Sequence, residues 1–252
     1  MGETGATKQE EPVATDLSQV KALTFDVFGT VVNWRDSIIA DLTAFGAKKG
    51  IKADWAELTD DWRGAYRPTL NKVLAGELPW AKLDDLHRGV LDGLLQKHGV
   101  KGLSEADKDH VNKVWHRLNG WPDTVPGLTR LKKKFFITTL SNGNVALLAN
   151  MGKHAGLPWD CILSAEIFKL YKRHPMVYTS ACEMLGLPPG QVMMVAAHKD
   201  DLEAARKQGM RTAYIPRPGE YGPRKAPYPD LPDFKPDVEA NGLVELAQKL
   251  GA

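Results

Sequence analysis

One short apolar stretch, residues 21–34 (KALTFDVFGTVVNW), places a single carboxylate at a turn and constrains what the chain can fold into. Bulky apolar residues alternate with polar ones up to Asp26, and Gly29 interrupts the run soon afterwards. A short run of this kind, ended by glycine, predicts a buried strand rather than a helix. Asp26 then lies at the carboxyl end of the strand, the edge where ligands bind in open parallel sheets. A carboxylate beside apolar residues costs free energy unless a partner pairs with it or a reaction uses it.

Further strand-like runs alternate with helical periodicity in the second half of the chain. This alternation predicts a parallel, doubly wound α/β sheet with right-handed crossovers, and the Asp26 strand belongs to it. The proline-rich segment 217–237 predicts a loop, and a short C-terminal helix is expected from residue 238 or later. The predicted strands are 135–140, 161–164, 192–197 and 212–215, and the predicted helices are 145–155, 176–185 and 200–208.

Four helical segments follow the Asp26 loop with no strand between them. They predict a helical cap subdomain that is inserted into the sheet domain. We therefore expect a disordered tail over 1–19, a core domain made of 20–33 and 119–252, and a cap over 34–118. Apolar residues recur at helical spacing over 37–49, 53–74, 82–98 and 104–118.

The composition is that of a soluble globular protein and excludes several classes of function. Hydrophobic residues make up 43% and charged residues 25%, and no apolar run approaches the roughly 18 residues needed to span a bilayer. The formal net charge of +2 gives no electrostatic reason to expect nucleic acid or a membrane as a partner. Cys161 and Cys182 form no CxxC pattern and the polar N-terminus has no signal-peptide core, so we expect a cytoplasmic protein.

Polar residues follow the later strands at the edge where Asp26 is expected. Ser, Asn and Gly occupy 141–143 after the second predicted strand, and Lys172 follows the third. His198 and Asp201 follow the fourth. Because the carboxyl ends of parallel strands meet at one edge of a sheet, we expect these side chains to converge around a crevice.

These motifs resemble those of the haloacid dehalogenase superfamily. DVFGT around Asp26 is similar to the first motif of that superfamily, LSNG (140–143) to the second, Lys172 to the third and AAHKDD (196–201) to the fourth. The four motifs occur in order over nearly the whole chain beyond the N-terminal tail. The resemblance implies a Rossmann-like core, and the helical segment after the first motif looks like one type of cap in the superfamily.

One position separates two activities within this superfamily. Phosphatases of this fold carry a second aspartate two residues after the nucleophile, which protonates the leaving alkoxide and helps to hold magnesium. This chain has Phe28 there. A halide leaves as a stable anion and needs no such acid. Together with the pair Trp62-Arg63 and the stretch 172–178, this position looks like the type II L-2-haloacid dehalogenases.

The resemblance implies hydrolysis of a short (S)-2-haloalkanoic acid to the (R)-2-hydroxy acid and halide. Asp26 would attack C2 of this small-molecule substrate with inversion and form an ester that water opens, with no cofactor and no metal. Lys172 would keep Asp26 ionised, because a nearby ammonium lowers a carboxyl pKa. Arg63 and the amide of Asn142 would accept the halide, since they place positive charge where negative charge develops.

The remaining roles follow from the same resemblance. Ser141 and Thr30 would hold the substrate carboxylate or the nucleophile, Tyr178 would orient the lysine, and Asp201 would position or deprotonate the hydrolytic water. The expected catalytic set is Asp26, Lys172, Asp201, Ser141 and Thr30, and the expected substrate-binding or halide-binding set is Arg63, Asn142, Tyr178, Phe28 and His198.

Two positions depart from the type II pattern, in which Ser-Ser-Asn precedes an aromatic residue. Here the corresponding run is Ala-Ala-His over 196–198, so His198 replaces an amide, and Asp200 falls where an aromatic residue would cradle halide. Because an acid would repel a leaving anion, we expect Asp200 to point away and to cap the next helix. Two alternatives stay open: His198 could be a core residue, and Arg63 could pair with an acid of its own helix.

Two other functions also stay open at the level of sequence. A phosphatase of the same fold would use Asp26 with magnesium held by Asp200 or Asp201. A binding homologue would keep the fold without turnover, although the intact Asp26, Lys172 and Asp201 argue against it. Homodimers are common in the family, so a homodimer is among the expected assemblies.

Overall fold

The structure, a computed structural model, describes residues 16–226 and 231–252 of the chain. The expected tail over 1–19 falls mainly on residues 1–15, which lie outside the described residues. Within the described part, Leu17 already packs against the hydrophobic core. The strands are β1 Ala22–Phe25, β2 Phe136–Ser141, β3 Cys161–Ser164, β4 Val192–Ala196, β5 Arg211–Tyr214 and β6 Val238–Glu239.

The helices of the described residues agree with most of the sequence periodicity. Helices α1 to α4 lie between β1 and β2, and Ser104 and Asp107 form a capping box at the start of α4. None of the helices in these ranges is long and apolar enough to cross a membrane. The helices are α1 Trp34–Lys49, α2 Trp55–Leu74, α3 Leu83–Lys97, α4 Glu105–Asn112, α5 Thr124–Leu131, α6 Val145–Ala155, α7 Ala165–Phe168, α8 Pro175–Leu185, α9 Lys199–Arg206 and α10 Leu243–Lys249.

The strands form one parallel sheet in the order β3-β2-β1-β4-β5-β6. β1 lies inside the sheet between β2 and β4, and all four of its residues are buried. The order reverses at β1, because the chain adds β2 on one side and β4 on the other. This reversal opens the crevice in which doubly wound sheets bind their ligands. The predicted fold class is therefore confirmed.

Both faces of the sheet are covered, which explains why its strands are so apolar. Leu23 and Phe25 of β1 belong to the hydrophobic cluster that includes α1, α5, α6 and α10. Ala22 points to the other face and joins the cluster that includes α8 and α9. Asp26, directly after β1, is thus a charged residue at the end of a strand with no solvent-facing side.

The sequence periodicity missed α5 and β6. α5 has Pro126 in its first turn, where proline is tolerated because the amide of that turn has no helical partner. β6 has only two residues, Val238 and Glu239, which is too short to show any periodicity. The short helix α7 was likewise not expected.

Close contact between α5 and α10 depends on the absence of a side chain at Gly127. A Cβ built at this position would collide with the backbone and side chain of Leu243, at the start of α10. Gly127 thus lets the C-terminal helix lie directly against α5.

We expect Gly127→Ala to lower the free energy of unfolding by about 1–3 kcal/mol, because overpacking forces the two helices apart. Gly93→Ala in α3 is the matched control, since a Cβ there meets open space and raises helix stability by about 0.5–1 kcal/mol. Denaturant unfolding of both variants measures the difference. Equal stabilisation by the two alanines would contradict the packing argument.

Candidate active site

Asp26 lies at the carboxyl edge of the sheet, immediately after β1. Its backbone N–H donates to the carbonyl oxygen of Val195 at 3.0 Å, which extends the pairing with β4 by one residue. The chain then turns sharply at Gly29, whose φ of 85° is a left-handed conformation that favours glycine. Asp26 as a whole residue is only 7% exposed. Burial of an acid at this point requires compensating partners.

Three side chains supply those partners. Lys172 Nζ lies 2.9 Å from Asp26 Oδ1. Thr30 Oγ1 donates to Oδ2 at 2.9 Å, and His198 Nδ1 lies 3.2 Å from the same oxygen. Burial raises the pKa of Asp26, but Lys172 and His198 outweigh this effect and hold the pKa well below its ordinary value. The carboxylate is therefore ionised and largely shielded from water, as a nucleophile must be.

Lys172 is a buried ammonium whose three N–H donors all have acceptors. Besides Asp26, Nζ donates to the carbonyl oxygen of Leu140 at 2.7 Å and to Asp201 Oδ2 at 2.6 Å. Asp201 is fully buried. Its other oxygen accepts from the hydroxyl of Tyr178 at 2.6 Å. Burial and the Asp201 charge raise the pKa of Tyr178, so the phenol stays a donor.

Asp200 does not face the nucleophile. Its carboxylate is bound by the guanidinium groups of Arg173, at 2.9 Å and 3.2 Å, and of Arg67 in α2, at 3.2 Å. His198, rather than Asp200, occupies the position that caps α9. The expectation that Asp200 would cap this helix is wrong, because two cationic partners bind the carboxylate more strongly than a helix N–H would.

Arg63 reaches the site from α2, and its own-helix acids have other partners. Asp60 binds Arg35 at 2.7 Å, and Asp61 binds Lys97 at 2.6 Å. The guanidinium of Arg63 lies over the ring of Tyr66, 4.8 Å from the ring centre. Arg63 is buried and its Nη2 lies 3.9 Å from Glu220 Oε1, so the alternative of a solvent-facing ion pair is contradicted.

A cavity of about 20 Å³ adjoins Asp26. Asn142 lies at this cavity, where its amide Nδ2 donates to the hydroxyl of Tyr66 at 2.9 Å and its Oδ1 accepts from the backbone N–H of Lys172 at 2.8 Å. A space of this size holds about one water molecule. The residues that line it are Asp26, Phe28, Arg63, Tyr66, Asn142, Lys172, Arg173 and His198.

Two expected residues lie near the site but make other contacts. Ser141 is buried, and its hydroxyl accepts from the backbone N–H of Gly143 at 3.2 Å. Tyr178 contacts Asp201 rather than the lysine itself. In both cases sequence spacing gave the correct neighbourhood but could not give the direction of a side chain.

The sequence reading missed Glu220, which lies in the loop after β5. This glutamate is 3% exposed and accepts hydrogen bonds from Trp34 Nε1 at 3.1 Å and from His198 Nε2 at 3.0 Å. Arg63 Nη2 lies 3.9 Å away. A signal was present, because Glu220 follows a parallel strand at the same edge as Asp26. It was overlooked because its segment is rich in proline.

His198 thus lies between two carboxylates, with Nδ1 towards Asp26 and Nε2 towards Glu220. The alternative of an uninvolved core histidine is contradicted by these contacts. Burial raises the pKa of Glu220, but His198 and Arg63 outweigh this effect and lower the pKa below its ordinary value. Gly29 makes room for the arrangement, since a Cβ at that position would overlap the carboxyl group of Glu220.

The donor set around Asp26 does not suit a metal ion. In residues 16–226 and 231–252, no group of three or more His, Cys, Asp or Glu side chains is arranged to hold one. The ammonium of Lys172 lies between Asp26 and Asp201, where a cation bridging the two carboxylates would have to sit. Asp200, the other acid considered as a magnesium ligand, is bound by Arg67 and Arg173.

A family model described as haloacid dehalogenase-like hydrolase matches residues 20–209, well over half of the chain. The chain belongs to the haloacid dehalogenase-like hydrolases. The resemblance drawn from the four sequence motifs is thereby confirmed.

Individual members of this hydrolase family match over most of the chain. The crystal structure of the L-2-haloacid dehalogenase PA0810 is 44% identical, with a TM-score of 0.88, and the match covers 92% of this chain and 99% of that one. The defluorinating L-2-haloacid dehalogenase Rha0230 is 40% identical, with a TM-score of 0.87 over 92% and 96%. The (S)-2-haloacid dehalogenase 4A of Burkholderia cepacia is 27% identical over 237 residues, which are 89% of this chain and 97% of the relative.

In this haloacid dehalogenase-like hydrolase, Lys172 neutralises two buried carboxylates at once. We expect Lys172→Met to lower the free energy of unfolding by about 3–5 kcal/mol, because removal of one partner leaves buried charge uncompensated. Adding Asp201→Asn to that variant removes one of the two charges and restores part of the loss. Chemical denaturation at pH 7 measures all three proteins. A double variant less stable than Lys172→Met alone would contradict the argument.

Proposed function

We propose that this protein hydrolyses short (S)-2-haloalkanoic acids to (R)-2-hydroxy acids and halide. The observation that carries the proposal is the state of Asp26, a shielded carboxylate kept ionised by Lys172, with Phe28 where a phosphatase has an acid. With Phe28 in place of that acid, the site suits a leaving group that needs no proton from that position. A halide leaves as a stable anion, so the reaction needs neither that acid nor a cofactor.

In the first step Asp26 attacks C2 of the substrate from the side opposite the halogen. The carbon–halogen bond breaks as the carbon–oxygen bond forms, so the configuration at C2 inverts and Asp26 becomes an ester. Thr30 and Lys172 hold the two carboxylate oxygens in fixed directions. Fixed alignment of reacting atoms is worth up to roughly 7–11 kcal/mol relative to free reactants.

Arg63 and Asn142 receive the departing halide on the opposite side of the small cavity. Both line that cavity with Tyr66, and the guanidinium supplies positive charge where negative charge develops. Arg63 belongs to α2, so the segment from α1 to α4 serves as a cap over the sheet edge. The space beside Asp26 holds only about one water molecule, so we expect α2 to move when a short haloacid binds.

Asp201 and Tyr178 act on the lysine rather than on the substrate. Asp201 is fully buried and both of its oxygens bind donors, which favours a role in positioning Lys172 over contact with water. Tyr178 in turn holds Asp201. The water that opens the ester therefore needs a different base.

The magnesium-dependent phosphatase is the weaker candidate. An ammonium lies between Asp26 and Asp201, and Asp200 is bound by two arginines. Two solved structures that are 44% and 40% identical to this chain are L-2-haloacid dehalogenases. A non-catalytic binding protein is also disfavoured, since it has no use for a shielded, ionised aspartate.

The proposal predicts halide release from L-2-chloropropionate, with D-lactate as the product and no effect of EDTA. Asp26→Asn should lose at least about 10³-fold in rate, because an amide is not a nucleophile. Asp85→Asn, an exposed residue of α3, is the matched control and should keep wild-type activity. Ion chromatography of halide and chiral analysis of the acid measure both products. Failure of the wild-type protein to release halide from chloro-, bromo- and fluoro-acids would reject the proposal.

A further inference from the structure

The imidazole of His198 is a buried titratable group to which the mechanism above assigns no role. It is 6% exposed, and its two nitrogens face two different carboxylates. Nδ1 lies 3.2 Å from Asp26 Oδ2, and Nε2 lies 3.0 Å from Glu220 Oε2. His198 is therefore within reach of the atoms that react in the second step, when water attacks the ester at the Asp26 carbonyl carbon.

Asp201 is poorly placed to be the base in that step. Its Oδ2 accepts from Lys172 Nζ at 2.6 Å, and its Oδ1 accepts from Tyr178 at 2.6 Å and lies 3.3 Å from Arg173 Nη1. Both of its oxygens are thus already bonded to donors, so neither is directed at a water beside the ester. It is also fully buried, behind the lysine as seen from Asp26.

The two carboxylates decide the protonation of His198 in the free enzyme. A neutral imidazole has one N–H and can donate to only one of them, whereas an imidazolium donates to both. Lys172, 2.9 Å from Asp26, and Arg63, 3.9 Å from Glu220, oppose this effect, and Asp200 is itself paired with Arg67 and Arg173. The two carboxylates in direct contact with the ring nevertheless give each ring nitrogen an anionic acceptor, which favours the imidazolium while Asp26 is ionised.

Formation of the ester changes this balance. Once Asp26 is alkylated it is neutral, so one of the two carboxylates that stabilise the imidazolium has lost its charge. The opposing charge of Arg63 is unchanged. The proton at Nδ1 is then held less tightly and no longer has an anionic acceptor, while Nε2 still donates to Glu220. The first step of the reaction thus converts His198 from an acid into a base.

We propose that His198 is the general base of ester hydrolysis and that alkylation of Asp26 switches it on. This inference rests on the proposed function and assigns its second step. His198 first loses the Nδ1 proton to solvent. Nδ1 then takes a proton from water as the water oxygen bonds to the Asp26 carbonyl carbon. The bond from that carbon to the oxygen that Asp26 gave to C2 then breaks, and the imidazolium returns the proton to this departing alkoxide.

The cycle closes with atoms and charges in balance. Hydrolysis leaves Asp26 as a carboxylic acid, whose proton passes to His198 and restores the starting carboxylate–imidazolium pair. The net products are one hydroxy acid, one halide and one proton for each haloacid and water. No oxidant or further reactant is needed.

The surroundings of His198 supply the path that the water and the proton need. Besides the small cavity at Asp26, His198 and Glu220 line a second cavity of about 640 Å³, which Lys199 and Arg217 also line. The histidine therefore lies between the shielded nucleophile and a roomier space with both polar and apolar walls. If water and protons exchange through that space, the cap can stay closed over the ester.

Glu220 is a positioning residue in this scheme. It fixes Nε2 as the protonated nitrogen, so that Nδ1 carries the lone pair that faces the ester. Trp34 Nε1 holds the same carboxylate at 3.1 Å, and the missing side chain at Gly29 leaves space for it. An acid that orients a histidine and stabilises its charged form is a recurring device in hydrolases.

A single-turnover experiment with His198→Gln tests the base. With L-2-chloropropionate we expect this variant to release one equivalent of chloride at near the wild-type rate. Ester hydrolysis should slow by about 10²- to 10⁴-fold, the usual effect of losing a general base. The ester on Asp26 then accumulates and is detected by intact mass and peptide mapping. His154→Gln, at an exposed histidine of α6, is the matched control and should behave as wild type.

The pH dependence of Glu220→Gln tests the positioning residue. In the wild-type enzyme the rate of ester decay should rise with pH through one ionisation and then level off. The amide removes a negative charge beside Nε2, so the imidazolium is less stable and this ionisation moves to lower pH, with a lower plateau. A purely structural role for Glu220 would lower the rate without moving the ionisation.

The outcomes separate this inference from the function it rests on. A wild-type enzyme that releases no halide rejects the dehalogenase itself. A wild-type enzyme that turns over, with His198→Gln hydrolysing its ester at the normal rate, rejects the inference alone. Loss of the chloride burst in a natively folded His198→Gln, or an unmoved ionisation in Glu220→Gln, also rejects it.

Discussion

The structure depends on one buried ammonium shared by two carboxylates. Lys172 gives each of its three N–H donors an acceptor, from Asp26, Asp201 and the backbone of Leu140. Ions removed from water cost several kcal/mol each, and only complete hydrogen bonding and close pairing offset that cost. The ends of β1, β2 and β4 must therefore meet around one nitrogen atom. A parallel sheet with buried faces brings these ends together at a single edge.

A second set of charges connects the nucleophile to the helical segment above it. Starting at Asp26, carboxylate, imidazole, carboxylate and guanidinium alternate through His198 and Glu220 to Arg63 in α2. Each group has a neighbour of opposite or complementary charge, so a change in the charge of one alters the proton affinity of the next. A change in the charge of Asp26 is in this way linked to the position of α2 through a series of direct side-chain contacts.

The sequence predicted the parts of this arrangement that local pattern determines. Strand-like runs ending in Asp26, Asn142 and Asp201 were enough for the α/β class and for the edge on which these residues meet. The direction of a side chain was not predictable from sequence, because it depends on which partners lie nearby in the folded protein. Ser141, for example, binds a neighbouring backbone N–H, and Asp200 binds two arginines. Glu220 was missed because its proline-rich loop shows no periodicity. Its place at the site follows only from the position of β5 in the sheet.

Glu220 reaches the site from the loop after β5, and this position limits where the chain can be joined to a relative in a chimera. The segment that matches the family model ends at residue 209, whereas Glu220 and α10 lie beyond it. Asp123, just before α5, binds Arg217 at 2.8 Å and the first amide of α10 at 2.6 Å. A chimera joined near residue 209 would therefore replace Arg217, Glu220 and α10 but keep the residues that they contact. To preserve these contacts, the exchange would also have to include α5 with Asp123, and Gly29, which faces Glu220.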